Sequence, residues 1–286
     1  AQGRDVYSEH ASLIYGRPVN RKKVKADFIP GQLGKVSILG MGFGMGYAKA
    51  SMELLKGMLG APPIQFKIED MQTLGVDPQP FLNNPKRVRE VSQMVSCLEF
   101  NDLSIHCIVT EALVRQYRNK MQAIAGQKGF WQICESAINA MIEGREMVFG
   151  ASNCALHGVF RTAKDRIHTP TGLWLDYRDI QRNQDGEATY FNGRNRTKIY
   201  GGLLTENLTQ HFHRLVVCEQ MLEIAQHYKV ALMTYDEVVC VVPENQSQEA
   251  LSHMIEVMSR TPTWAPGLPL AAEGGVGLTY AEAKPK

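Results

Sequence analysis

Residues 230–242 read VALMTYDEVVCVV: two apolar runs, Val230 to Thr234 and Val238 to Val242, held apart by Tyr235, Asp236 and Glu237. Short runs rich in branched apolar residues favour extended backbone, so the spacing predicts a β-hairpin with the three polar residues at its tip. Tight hairpin tips favour Asn-Gly or Asp-Gly, because the turn asks for positive φ. Here the tip carries charge instead of glycine. Two carboxylates forced together repel unless a cation sits between them, and hard divalent ions such as Mg²⁺ take carboxylate oxygens together with substrate phosphates. A solvated acidic turn is the plainer alternative. Outward from the hairpin, Leu203 to Tyr228 reads as one long helix leading into it and Ser247 to Ser259 as a last helix behind it. Upstream, short β-like runs at Val159 to Thr162, Gly172 to Tyr177 and Ala188 to Phe191 alternate with turn residues.

A second unusual stretch, GQLGKVSILGMGFGMG, fills residues 31–46. On a helix, Lys35, Leu39 and Phe43 would fall on one face, each step of four drifting by about 40°. That face would offer a cation, an apolar side chain and an aromatic ring in a row. The alternate glycines Gly40, Gly42, Gly44 and Gly46 each cost a helix about 1 kcal/mol relative to alanine. The cost is understandable if something large, such as a nucleotide, must lie against the backbone; a glycine-rich packing surface competes with that reading. A dinucleotide-binding turn is a poor match. Counting G-x-G-x-x-G from Gly40 and Gly42 puts Met45 in the third place, and from Gly42 and Gly44 it puts Tyr47 there. A phosphate loop fails because Gly34-Lys35 is followed by Val36.

Around these two stretches, Asp5 to Tyr15 predicts a short helix stopped by Gly16-Arg17-Pro18, with a basic loop after it. Pro30 to Gly60 keeps helical spacing between its glycines. Gly60 to Leu82 reads as an irregular excursion with a short strand at Ile64 to Ile68, and Pro85 to Leu98 and Ile105 to Glu143 return to helical periodicity. A chain of 286 residues with 44% hydrophobic and 21% charged residues can bury the core of one large domain or two modest ones. Its apolar runs are far shorter than the roughly 20 residues of a bilayer span, and no charged-then-apolar leader opens it, so no membrane partner is expected. Cys97, Cys107, Cys134, Cys154, Cys218 and Cys240 are scattered without CxxC or Cys/His spacing, which argues for buried thiols in a reducing cytoplasm and against zinc. The net charge of +2 gives no whole-molecule field for nucleic acid. Any such binding must rest on local clusters, namely Arg21, Lys22, Lys23 and Lys25, or Arg115, Arg118 and Lys120, whose simplest reading is a solvated surface.

Taken in order, the two stretches resemble the nucleotidyl-transfer motifs of family A DNA polymerases. In that family a fingers helix carries a lysine, an aromatic four residues later and a Tyr-Gly pair four residues after that; here Lys35, Leu39 and Phe43-Gly44 stand in those places. The family's palm hairpin carries His-Asp-Glu, matched by Tyr235-Asp236-Glu237. AQGRDVYSEHASLIYGRP, GKVSILGMGFGMG, IYGGLLTENLTQ and the terminal LPLAAEGGVGLTYAEAK look like the bacteriophage branch, so the resemblance covers almost the whole chain. It implies an α+β fold, incomplete without a partner segment: a palm-to-fingers entry helix and basic loop at 1–30, helical fingers at 31–145, and the C-terminal part of the palm, an antiparallel sheet with packed helices, at 146–286. It further implies attack of a primer 3′ hydroxyl on an incoming deoxynucleoside triphosphate, with two magnesium ions. Asp236 and, less directly, Glu237 would be metal ligands. Lys35 would hold the triphosphate, and Leu39 and Phe43 would face the nucleotide, with Gly40 and Gly44 allowing close approach. Gln210, Asn207 and Tyr235 would touch primer and template, while Arg194, Arg21 and Lys22 would contact phosphates of the DNA.

Four departures qualify that pattern. Gly31 stands where the family's fingers helix usually has arginine, so a second cation must come from elsewhere, with Arg21 to Lys25 the nearest candidates. Leu39 replaces Phe or Tyr, and Tyr235 replaces histidine. The second palm aspartate, in a strand reading roughly Asp-Tyr-Ser-x-Ile-Glu before both motifs, is missing; Leu175-Asp176-Tyr177-Arg178-Asp179-Ile180 is similar but falls between them. The expectation is a split polymerase in which an N-terminal fragment supplies the aspartate strand, the thumb and any exonuclease, forming an obligate heterodimer in a bacterial cytoplasm. A catalytically silent DNA-binding subunit is the alternative, and a nicotinamide-dependent dehydrogenase the remote one.

Overall fold

The glycine-studded stretch does not run as one helix in the computed structural model, which describes residues 5–57, 62–94, 100–150 and 158–283 and divides into two compact units. Ala1 to Arg4, Gly60, Cys97, Leu98, Cys154 and Lys284, named above, lie outside the described residues. The first unit spans Gly3–Gln132 with Gly201–Leu203. Its helix α1 (Val6–Tyr15) begins where the Asp5 carboxylate accepts the Tyr7 N–H at 3.2 Å, and ends at Gly16 with φ 61°, as the Gly-Arg-Pro signal predicts. A 3₁₀ turn, Lys25–Asp27, leads into α2 (Phe28–Val36). Helices α1 and α2 approach closely because Gly34 has no side chain: a Cβ there would lie 2.2 Å from the Tyr7 carbonyl oxygen.

After Val36 the backbone widens into a π turn, Ser37–Met41, before α3 (Tyr47–Lys56). The Gly40 carbonyl accepts N–H bonds from both Phe43 and Met45 at 3.2 Å, and Gly44 takes φ 81°. Lys35, Leu39 and Phe43 therefore occupy a helix, a π turn and a tight turn in succession, and the continuous α-helical face expected for them is not formed. The short helices α4 (Ile68–Thr73), α5 (Gln79–Leu82) and α6 (Pro85–Gln93) precede the long α7 (Phe100–Lys120) and the single turn α8 (Gln122–Ala125). Leu103, Cys107, Val109 and Tyr117 of α7 are buried together with Leu33, Leu54 and Phe81. The strand expected at Ile64 to Ile68 is absent. Ile64 and Phe66 do alternate inward as strand residues would, but their N–H groups go to the Leu54 carbonyl at 2.8 Å and to Nδ1 of buried His106 at 3.1 Å, so no ladder forms.

The second unit holds most of α9 (Phe130–Glu143) and the chain from Ile133 onward apart from Gly201–Leu203. Strands β1 (Val148–Phe149), β2 (Phe160–Ala163), β3 (Arg166–His168) and β4 (Trp174–Asp176) form an antiparallel meander. Strands β5 (Gln181–Arg182), β6 (Ala188–Phe191) and β7 (Arg196–Lys198) form a second one. Helix α10 (Gly201–Ile224) then leads to the hairpin of β8 (Lys229–Thr234) and β9 (Glu237–Val241), and α11 (Ser247–Ser259) closes the order at the expected residues. Val217 and Ile224 of α10, Val238 of β9 and Val257 of α11 share one small core. The mixed helix and antiparallel-sheet character is that of an α+β chain, with its strands in three separate sheets. No described helix is long and apolar enough to cross a membrane. Of the described cysteines, Cys107 and Cys134 are buried thiols as expected, whereas Cys218 and Cys240 are only half-buried because they sit at the margins of α10 and β9.

Candidate active site

Strands β8 and β9 pair Thr234 with Glu237, which leaves Tyr235 and Asp236 as a two-residue turn. The positive φ that such a turn needs falls on Tyr235, at 53°, where an L side chain costs roughly 1 kcal/mol. The Tyr235 ring is 68% exposed and tilts over His213 of α10, with centroids 4.7 Å apart. Asp236 and Glu237 are both exposed. Glu237 accepts a hydrogen bond from the Tyr280 hydroxyl, and that bond holds the phenol's pKa above the usual tyrosine value. Beside the tip, a cleft of about 820 Å³ is lined by β9, α11 and residues 272–283. The two tip carboxylates are the hard oxygen donors that magnesium prefers, yet among the described residues no three His, Cys, Asp or Glu side chains converge on one point.

The other predicted residues of this unit divide into exposed and committed groups. Gln210 is exposed on α10, one turn before His213 and therefore on the same helix face, and its amide reaches Glu206 at 3.1 Å. Asn207 is committed: its Nδ2 donates at 3.0 Å to the hydroxyl of Tyr177, a buried ring whose pKa is pushed up by burial. Arg194 is exposed in the β6–β7 turn, its backbone N–H held by the Asn192 side chain at 3.0 Å. The carboxylates of Leu175 to Ile180 are accounted for locally. Asp176 faces Arg166 at 3.9 Å and Arg178 at 4.0 Å, and Asp179 pairs with Arg196.

In the first unit, Lys35, Leu39, Phe43 and Gly44 are half-buried and Gly40 is buried. The turn that carries Phe43 is braced by Trp131, whose indole N–H donates to the Gly42 carbonyl at 3.0 Å. Gly44 and Phe43 are approached by the first turn of α10, since a Cβ on Gly202 would lie 2.9 Å from both Gly44 Cα and the Phe43 carbonyl oxygen. Gly31 is filled by a cation: a Cβ there would meet the Arg21 Cβ at 2.2 Å. Arg21 itself is held by Asp5 at 2.8 Å and lies over the Tyr7 ring at 4.8 Å, while Lys22 is exposed. Tyr280, His213 and Trp131 support these sites and were not found in the sequence. Each acts across a long chain separation that no local spacing records.

No family model and no solved structure matches this chain. It is 27% identical over 180 residues to a DNA polymerase of Bacillus phage SP02, a stretch that covers 59% of this chain and 26% of that protein. The chain thus spans about a quarter of the polymerase it matches, and the resemblance read from its motifs stands at the level of similarity to a phage DNA polymerase.

Proposed function

We propose that this chain forms part of the active site of a family A-type DNA polymerase and contributes to template-directed synthesis from deoxynucleoside triphosphates. The observation that supports this best is the hairpin tip: Asp236 is exposed on a turn whose backbone is strained at Tyr235, in a chain similar to a phage DNA polymerase. Asp236 and Glu237 would hold magnesium, which when bound neutralises charge on the reacting phosphates. Two carboxylates are too few for that task, so the remaining acid is assigned to polypeptide outside residues 1–286, supplied by a partner subunit together with a thumb. Lys35 would neutralise the triphosphate, and Leu39, Gly40, Phe43 and Gly44 would line the nucleotide position. Gln210 and Tyr235 would touch primer and template, and Arg194 the backbone of the DNA. Asn207 would act through Tyr177, keeping α10 in place.

The test is primer extension by the chain reconstituted with its partner polypeptide, compared with Asp236→Ala. Lost extension with retained DNA binding supports the enzyme; unchanged extension removes Asp236 from the chemistry. Full extension by the isolated monomer would refute the shared site. The silent DNA-binding reading draws on one observation, the Tyr280 hydroxyl on Glu237, which uses the tip for packing. That reading expects no extension from the wild-type complex.

A further inference from the structure

The segment from Arg17 to Ile29 carries five cations and one carboxylate, and its structure separates them into two classes. Arg17 is spent on Asp27 at 2.7 Å and Arg21 on Asp5 at 2.8 Å. Both carboxylates stay charged well into acid. The Asn20 N–H and then Arg17 lower the pKa of Asp27; burial tends to raise that of Asp5, but bonds from Arg21, Ser8 and Tyr7 outweigh it. Neither carboxylate is left to neutralise Lys22, Lys23 and Lys25, which are exposed and make no ion pair among the described residues. Interleaved with these lysines are exposed apolar groups: Val24 at 46%, Phe28 at 44% and Ile29 at 40%.

This rim is built rigidly. The Arg21 N–H reaches Ser8 Oγ at 3.2 Å and the Val19 N–H reaches Ser12 Oγ at 2.9 Å, tying the loop to α1. Asp27 Oδ2 takes the Asn20 N–H at 2.8 Å, and Asn20 in turn accepts from the N–H groups of Lys23 at 3.1 Å and Val24 at 2.9 Å. Cations fixed beside an exposed aromatic ring are what a single strand needs, because its phosphates seek charge and its unstacked bases seek a flat apolar face. A duplex hides its base faces and would use the lysines alone.

We propose that Lys22, Lys23, Lys25 and Phe28 form a stacking platform for single-stranded DNA. The choice of DNA over another polyanion rests on the polymerase reading; the platform itself rests on the rim. The test is fluorescence anisotropy of labelled oligothymidylate and of a duplex of equal length with the 286-residue chain, across a salt series. Phe28→Ala, with its circular dichroism unchanged, is expected to weaken oligothymidylate binding roughly tenfold and duplex binding less than about twofold. Lys23→Glu with Lys25→Glu is expected to weaken both and to flatten the salt dependence by about one unit of log–log slope. Photo-crosslinking of bromouracil-substituted oligonucleotide is expected to label a peptide within residues 21–29. Phe28→Ala binding the single strand within about twofold of the parent chain would overturn the proposal. So would a crosslink confined elsewhere, or binding to phosphatidylserine-containing vesicles with none to oligonucleotide. Asp236→Ala leaves this binding unchanged, so the platform and the polymerase reading fail separately.

Discussion

At Gly31, Gly34, Gly42 and Gly44 the first unit has a neighbour that needs the missing side chain: Arg21, the Tyr7 carbonyl, the Ile38 carbonyl with the Tyr117 hydroxyl, and the first turn of α10. At the hairpin tip of the second unit, Tyr235 and Asp236 sit in a strained turn with nothing packed over Asp236. Both regions stand out because their residues are poor local choices, but only in the first does the chain itself repay the cost. The glycines there are explained by packing, so a nucleotide role for that stretch rests on Lys35, Leu39 and Phe43. The exposed acids of the tip have no internal explanation, which directs attention to a ligand or a partner.

That contrast can be broken at several points. Asp236→Ala should lower extension by the reconstituted polymerase roughly 10³-fold, a loss of several kcal/mol of charge stabilisation, while melting stays within about 0.5 kcal/mol of the parent chain. Equal losses of both would place Asp236 in the fold. Gly34→Ala should cost about 2 kcal/mol in urea unfolding, because its Cβ would lie 2.2 Å from the Tyr7 carbonyl and α1 must move away. A neutral result would reopen a ligand-facing role for that glycine. Trp131→Phe keeps the ring but loses the bond to the Gly42 carbonyl; a cost of about 1 kcal/mol is expected, read in the same unfolding experiment.

The smallest effect is with pH. His106 is fully buried, with Nδ1 accepting the Phe66 N–H, so Nε2 carries the proton and donates to the Ser51 carbonyl at 3.0 Å. Burial lowers its pKa below the ordinary histidine value, so the neutral ring's contribution is complete above about pH 6.5 and is lost as pH falls through the folded-state value. Chemical unfolding of the parent chain should therefore weaken in mild acid, and His106→Gln should flatten that dependence.

The hairpin, α10 and α11 were legible in the sequence because their patterns are long, regular and bounded by clear turn residues. The π turn was not, since an apolar count at four-residue spacing cannot distinguish a helix that widens at Ser37–Met41 from one that continues. Ile64 and Phe66 read as a strand because alternate burial is the same signal whether a neighbouring strand or a histidine receives the backbone N–H. At the tip, the acids were plain from their flanking runs. The positive φ on Tyr235, its contact with His213 and the reach of Tyr280 to Glu237 depend on the folded chain.

The bond between Tyr280 and Glu237 turns the tip into its own indicator. Anything that draws the Glu237 carboxylate away releases the phenol, whose ionisation then falls back toward that of an ordinary tyrosine. An alkaline absorbance titration of the phenolate, with and without added magnesium, would therefore register occupation of the acidic turn without any nucleotide being incorporated.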